Sequence, residues 1–257
     1  MCILKKIAGV FRAISGSPHP KNFTSAVIAA AGSSERFGGD LTKQMTELCG
    51  TPLILHTLRA FEACECIHEI IIVAKPNEVP EYDWICKKYS IKKVTSIVPG
   101  GLTRQDSVRR GLDVVSKKSK YVAIADGARC LITPTQIEAV CRAAYKYDAA
   151  TAAHRSTDTV KIADSKGFID STADRSTVWL AQTPQVFKTK LYRAAAYTAL
   201  KKDFAGTDDN MLVENIRHPV RLVECGAENI KITTREDLIY ARAVLEDRQR
   251  KSEVADV

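Results

Sequence analysis

One stretch, Ala26 to Gln44 (AVIAAAGSSERFGGDLTKQ), restricts the fold of this chain more than any other. Ala26 to Ala30 is short, apolar and bounded by Gly32, the pattern of a strand buried on both faces of a parallel sheet. The loop that follows is built from Gly32, Ser33, Ser34, Gly38 and Gly39 and carries Arg36 and Lys43. Small residues let backbone N–H groups approach an anion closely, and the two cations can neutralise it. Open α/β sheets bind their ligands at the carboxyl ends of such strands. Neither a Gly-Lys-Ser/Thr ending nor a Gly-x-Gly-x-x-Gly run is present, so neither common phosphate loop is at hand. The alternative is a glycine-bearing surface turn with two solvated cations.

The sequence beyond this loop repeats the theme. His68–Ala74 and Val94–Val98 read as further buried strands, the latter ending at Pro99-Gly100-Gly101. Tyr121–Ala125 reads as another, ending at Asp126. Between and after them, helices are expected from Thr51-Pro52, over Arg104–Val115 and from Thr133-Pro134, where proline suits the first helical position. Such alternation predicts an α/β fold, a mainly parallel Rossmann-like sheet with helices on both faces. It brings Asp126, the Gly100-Gly101 turn and the Arg36/Lys43 loop to one sheet edge. From His154 to Trp179 the chain is polar with short β-prone pieces, which reads as a protruding β-arm able to pair with a second subunit, or as a surface loop. Lys190–Leu200 and Asp208–Ile216 read as helices, Val220–Val223 and Ile230–Ile232 as strands, and Glu236–Glu246 as a last helix before a polar tail at 248–257.

At 257 residues, with 45% hydrophobic and 26% charged residues, the chain can bury a full core. The net charge of +8 suits phosphate-bearing small molecules, and no basic–aromatic ladder of the nucleic-acid-binding kind occurs. The eight cysteines are scattered, which disfavours zinc and suits a reducing cytoplasm. No apolar run is long enough to span a bilayer. Residues 1–24 stand apart from the rest of the chain. Ile3, Leu4, Ile7, Val10, Phe11 and Ile14 recur at helical spacing with Lys5, Lys6 and Arg12 between them. They read as an amphipathic arm, or as a membrane-surface or organelle-targeting segment that would move the protein to an organelle stroma. Ser15–Asn22 reads as a linker.

Taken in order, seven pieces of the chain resemble the 2-C-methyl-D-erythritol 4-phosphate cytidylyltransferase (4-diphosphocytidyl-2-C-methyl-D-erythritol synthase) family. They are AAAGSSERFGG with TKQ at 29–44, GGLTRQDSVRRGL at 100–112, ADGAR at 125–129, DTVK at 158–161, LAQTPQVF at 180–187, TDD at 207–209 with Val213-Glu214, and NIKITTREDL at 229–238. The resemblance spans about Ser25 to Leu245. It implies CMP transfer from CTP to 2-C-methyl-D-erythritol 4-phosphate with release of pyrophosphate. Arg36 and Lys43 match the family's transition-state stabilisers, and Ala30, Ala31 and Gly32 its triphosphate cradle. Gly101 and Ser107 match positions that read cytosine and ribose. Asp126 matches the Mg2+ ligand, with Glu228-Asn229 a weaker candidate. Arg129, Thr159, Arg175, Thr183 and Lys231 match the acceptor-binding set. Thr159 and Arg175 fall in the arm, which in the family crosses to the partner of a homodimer.

Four positions depart from the family's usual residues: Ser34, Thr42, Leu102 and Cys130. None removes a charge. Rival readings are a ribitol-5-phosphate cytidylyltransferase, a sugar-1-phosphate nucleotidyltransferase and a catalytically inactive nucleotide-binding regulator. Lys161 in DTVK favours the methylerythritol branch, and too little sequence follows Leu245 for a fused second pathway enzyme.

Overall fold

Thr24–Ala29 forms strand β1, whose first five positions are buried in the structure, a computed structural model that describes residues 20–32 and 42–255. Two short strands, β2 (Glu47–Leu48) and β3 (Thr51–Pro52), precede helix α1 (Leu53–Ala63). Strand β4 (Glu69–Ala74), helix α2 (Val79–Lys88), strand β5 (Val94–Pro99), helix α3 (Arg104–Val114) and strand β6 (Tyr121–Asp126) continue the alternation. Helix α4 (Pro134–Tyr147) leads to β7 (Ala149–Arg155), β8 (Lys161–Ala163), β9 (Ile169–Thr172) and β10 (Trp179–Lys188). Helices α5 (Thr189–Lys201) and α6 (Asp209–Asn215), strand β11 (Arg221–Glu224) and helix α7 (Arg235–Ala255) complete the order.

Seven strands form one sheet in the order β11-β7-β10-β6-β1-β4-β5. All neighbours are parallel except β10, which runs antiparallel to both β6 and β7. The chain moves from β1 outward to β4 and β5, then returns to place β6 on the other side of β1. That reversal opens a crevice beyond the carboxyl ends of β1 and β6.

Period-two alternation divides the core between the two faces. Ala26, Ile28, Ile70, Ile72 and Ala123 pack with Leu58 and Phe61 of α1, Tyr82 of α2 and Val140 of α4. Val27, Ile71, Val73, Val122 and Ile124 face Val108 and Leu112 of α3, Tyr192 of α5 and Leu212 of α6. Strands covered on both sides need no polar face, which is why the central ones are apolar runs. On the second face α3 lies close enough that a Cβ at Gly111 would stand 2.5 Å from Val27 Cγ1 and 2.8 Å from Val73 Cγ2. Gly111→Ala is therefore expected to destabilise the fold by about 1–3 kcal/mol through overpacking, read as a lowered urea midpoint at unchanged m-value.

Most expected elements form, with four corrections. Thr51-Pro52 does not open a helix: it pairs with Glu47-Leu48, and the Thr51 hydroxyl is engaged with His56 Nε2 at 3.0 Å instead of capping. The helix starts one residue later, at Leu53. Ile230–Ile232 is not a strand; the Ile232 N–H donates to Ala128 O at 2.9 Å and seats Ile232 in a third apolar cluster with Leu48, Leu53, Leu131 and Ala241. The last helix, expected over Glu236–Glu246, runs from Arg235 to Ala255 and so takes in the described part of the 248–257 tail, anchored by Arg248 on Leu131 O (2.8 Å) and Glu228 (2.9 Å). Trp179, an aromatic that reads as core more readily than as a stacking platform, is instead half-buried beneath the Arg155 guanidinium, 4.5 Å from its ring centroid. In the arm region, among the described residues, β8 and β9 pair only with each other, and every residue in them is exposed. Lys161 donates to Thr172 Oγ1 across this ribbon at 2.8 Å. Of the N-terminal segment expected at 1–24, residues 1–19, with the amphipathic pattern, lie outside the described residues. Among the described residues the cysteines are all free.

Candidate active site

The crevice at the strand reversal holds a cavity of about 600 Å3. Its walls come from the ends of successive strands: Ala31 and Gly32 after β1, Lys75 after β4, Gly101 after β5, and Asp126 at the end of β6. Lys43 and Gln44, on a tight turn before β2, and Lys231, ahead of α7, close it. The β1 and β5 loops approach so closely that a Cβ at Gly100 would collide with the Ala31 Cβ. Only glycine allows this wall to close.

Asp126 is the electrostatic centre. Its backbone N–H donates to the Thr183 hydroxyl at 2.9 Å from the neighbouring antiparallel strand. Near Thr183 the register of β10 against β7 shifts between Ala181 and Gln185, a local irregularity of the kind that re-aims side chains beside sites. The carboxylate sits among three cations: Lys231 Nζ at 3.2 Å and Arg129 Nε at 3.4 Å from Oδ2, and Arg104 Nε at 3.5 Å from Oδ1. Burial by itself would push the Asp126 carboxyl up; Lys231, Arg104 and Arg129 outweigh it and hold the group below the usual carboxylate range. Asp126 is thus an anion at neutral pH.

The expected residues divide by position. Ala31, Gly32, Lys43, Gly101, Ser107, Asp126 and Lys231 share the cavity. Lys43 is 8% exposed, so its stem is buried while it lines the cavity. Arg129 and Thr183 sit one contact behind, each bonded to Asp126. Arg129 also donates to Asn229 O at 2.7 Å. Ala30 corrects an expectation: its N–H extends the sheet by donating to Val73 O at 2.8 Å and is not available to cradle a phosphate. The Ser107 hydroxyl accepts from the Gly101 N–H (3.1 Å) and donates to Thr103 O (2.9 Å), so it shapes the Gly-Gly turn as well as lining the cavity. Thr159 and Arg175 are exposed in the arm region, with Arg175 donating to Thr157 O at 3.2 Å, and neither lines this cavity. Arg36 lies outside the described residues. Glu228 turns to Arg248, and Asn229 is buried, donating to Gln182 Oε1 and Thr183 O at 3.0 Å each. Of the departures from family usage, Cys130 joins the third apolar cluster and Leu102 stands fully exposed at the cavity mouth.

Two cavity cations escaped the sequence reading. Lys75 directly follows β4, where it also faces Glu78 at 3.8 Å. Arg104 is the first residue of α3, capped by Thr103. A cation in the first turn opposes the helix dipole, and that misplacement was the available signal.

The geometry agrees with what comparison finds. The family model for 2-C-methyl-D-erythritol 4-phosphate cytidylyltransferase matches residues 24–247. A relative of that name from Pelotomaculum thermopropionicum is 43% identical over 226 residues, 88% of this chain and 95% of the relative. Another, from Caldanaerobacter subterraneus subsp. tengcongensis, is 44% identical over 223 residues, 86% and 98% of the two chains. The crystal structure of 4-diphosphocytidyl-2C-methyl-D-erythritol synthase from Anaerococcus prevotii matches with a TM-score of 0.79 at 34% identity, covering 88% of this chain and 96% of that one. A family model spanning most of the chain, relatives of nearly equal length and a shared fold lead to one assignment: this chain belongs to the 2-C-methyl-D-erythritol 4-phosphate cytidylyltransferase family of nucleotidyltransferases.

Proposed function

We propose that this chain transfers CMP from CTP to 2-C-methyl-D-erythritol 4-phosphate, releasing pyrophosphate, in non-mevalonate isoprenoid biosynthesis. The observation that carries the reading is the charge of the cavity: among the described residues, Lys43, Lys75, Arg104 and Lys231 line it against the single carboxylate of Asp126. Four cations around one acid suit a triphosphate and a second phosphate in the same space.

The reaction needs little from the protein beyond charge and alignment. A phosphate oxygen of the polyol attacks the α-phosphorus of CTP in line, the new P–O bond forms as the bond to the pyrophosphate oxygen breaks, and the electron pair leaves with pyrophosphate. The nucleophile is already an anion, so no general base is required. Lys43, with Arg36 as its proposed partner, neutralises charge that builds on the α-phosphoryl oxygens, in the manner of an oxyanion hole. Lys231, on the cavity wall, holds the acceptor phosphate, and Arg129 supports it from behind Asp126. The Gly101 turn, braced by Ser107, presents its backbone to the cytosine edge, and a hydrogen-bonding pocket of that kind rejects a base with the wrong donor.

Mg2+ suits this donor set. Among the described residues no group of three or more His, Cys, Asp or Glu could hold a metal on its own. An ionised Asp126 working with substrate phosphates is the hard-cation arrangement expected for Mg2+. When bound, the ion would neutralise phosphate charge and align the triphosphate.

Thr159 and Arg175 stand apart from their own chain's cavity, which supports a homodimer in which the ribbon of one subunit completes the site of the other. The working location is the cytoplasm; among the described residues, no helix is long and apolar enough to cross a membrane.

The test is pyrophosphate release from CTP and Mg2+ with 2-C-methyl-D-erythritol 4-phosphate and ribitol 5-phosphate assayed in parallel. Turnover confined to the methylerythritol substrate is expected. Turnover confined to ribitol 5-phosphate would keep the chemistry and overturn the pathway.

A further inference from the structure

Arg104 is shared between two carboxylates of different character. Asp126 lines the cavity, whereas Asp209 does not and is only 1% exposed. The guanidinium lies closer to the second: Nη2 is 2.7 Å from Asp209 Oδ2, while Nε is 3.5 Å from Asp126 Oδ1. The shorter separation is that of a close ion pair; the longer one exceeds normal hydrogen-bond reach.

Asp209 is built firmly into place. Its other oxygen accepts from the buried Tyr192 phenol at 2.5 Å, and its N–H donates to Gln185 Oε1 at 3.0 Å. It is also the first residue of α6, where the helix dipole favours an acid. Burial raises the pKa of this carboxyl against the opposing pull of Arg104. Burying a charge pair is a poor route to stability, because an apolar pair of the same shape does as well. The arrangement makes sense if it fixes a group that acts elsewhere.

Asp126 shows what that action is. Arg129 and Lys231 both address Oδ2, at 3.4 and 3.2 Å. Among the described residues, Oδ1 faces a cation only in Arg104, which stops 3.5 Å away. Arg104 keeps Asp126 ionised from that distance without occupying its oxygen.

We propose that Asp209, braced by Tyr192, is a positioning residue that holds Arg104 off Asp126, leaving Oδ1 of Asp126 available to a divalent cation. This rests on the cytidylyltransferase reading of the cavity. Without the Asp209 charge, Arg104 has one carboxylate left to pair with, closes on Asp126 and competes for the oxygen. Arg104 is therefore useful only while it is restrained.

The proposal is tested by titrating Mn2+ into the protein with CTP and no acceptor, following the free ion by electron paramagnetic resonance. Asp209→Asn is expected to weaken Mn2+ binding by about ten-fold, the usual scale for losing a partner behind a metal ligand. Adding Arg104→Gln to that variant is expected to restore the Mn2+ affinity at saturating CTP, because the competitor for Oδ1 is gone and saturation offsets the cavity cation lost with it. A merely structural ion pair would give no such rescue. Unchanged affinity in Asp209→Asn, or a loss that Arg104→Gln does not relieve, overturns the proposal. Should Asp209→Asn fail to melt cooperatively, Tyr192→Phe, which removes only the brace on Asp209 and lies outside the cavity lining, decides: weakened Mn2+ binding with a cooperative melt supports the proposal, and unchanged binding refutes it. Failure of the parent to retain Mn2+ with CTP would instead overturn the reading of Asp126 itself.

Discussion

Lys43→Ala is expected to lower kcat by about 10²–10³, the scale of losing one preorganised transition-state donor. The argument is positional. Lys43 sits on a tight turn with its stem buried and contributes to the cavity wall opposite the strand ends. A cation fixed in that way does not have to be ordered when charge develops on the α-phosphoryl group. CTP affinity, measured by calorimetry without acceptor, should fall far less than kcat, because Lys75, Arg104 and Lys231 still surround the nucleotide's phosphates. Equal losses in both quantities would reduce Lys43 to a ground-state phosphate contact. Lys43→Arg should not recover the rate, since a planar guanidinium cannot replace a compact ammonium in a closed space.

Asp126→Asn is expected to abolish metal-dependent turnover, by about 10² or more given that outer-shell losses alone reach that scale. The amide is nearly isosteric and can keep the Thr183 contact, which uses the backbone N–H. What disappears is the charge that balances Lys231, Arg129 and Arg104. Arg104 retains Asp209, and Lys231 is solvated enough to be indifferent, so the uncompensated cost falls chiefly on Arg129. A loss of about 1–3 kcal/mol in folding stability follows from leaving that buried charge with weaker partners. Thermal melts should show a modest drop while pyrophosphate release vanishes. Retained turnover with a lowered melting point would mean that Asp126 is a structural counterion and no more.

How much of this was legible beforehand depends on the range of the interactions. Strands β1, β4 and β6 announce themselves as short apolar runs, and parallel order then forces Asp126, Gly101 and the β1 loop onto one edge. Lys231 and Thr183 could be assigned only through a family resemblance, because each reaches the site from a segment with no local pattern of its own. Arg104 and Asp209 lie more than a hundred residues apart in sequence and meet because α3 and α6 cover the same sheet face. No local spacing encodes that encounter. Thr51-Pro52 misled for a related reason: its composition fits a helix cap, but His56 claims the threonine hydroxyl and the pair joins a two-residue ladder. The Ile230–Ile232 alternation has the strand period, yet Ile232 finds its burial against α7 and the Leu131 segment instead of a sheet neighbour.

Because β1, β4, β5 and β6 all run toward the cavity, the molecule has a working end and an idle end. Phe23, stacked on His68 at 5.0 Å, marks the idle one. A six-residue strand separates the two, a span of about 20 Å at the usual rise. Surface attachment, a fluorescent label or a fused carrier joined at the Phe23 end would therefore leave nucleotide entry unobstructed. The same handle placed near Lys231 would sit in the doorway.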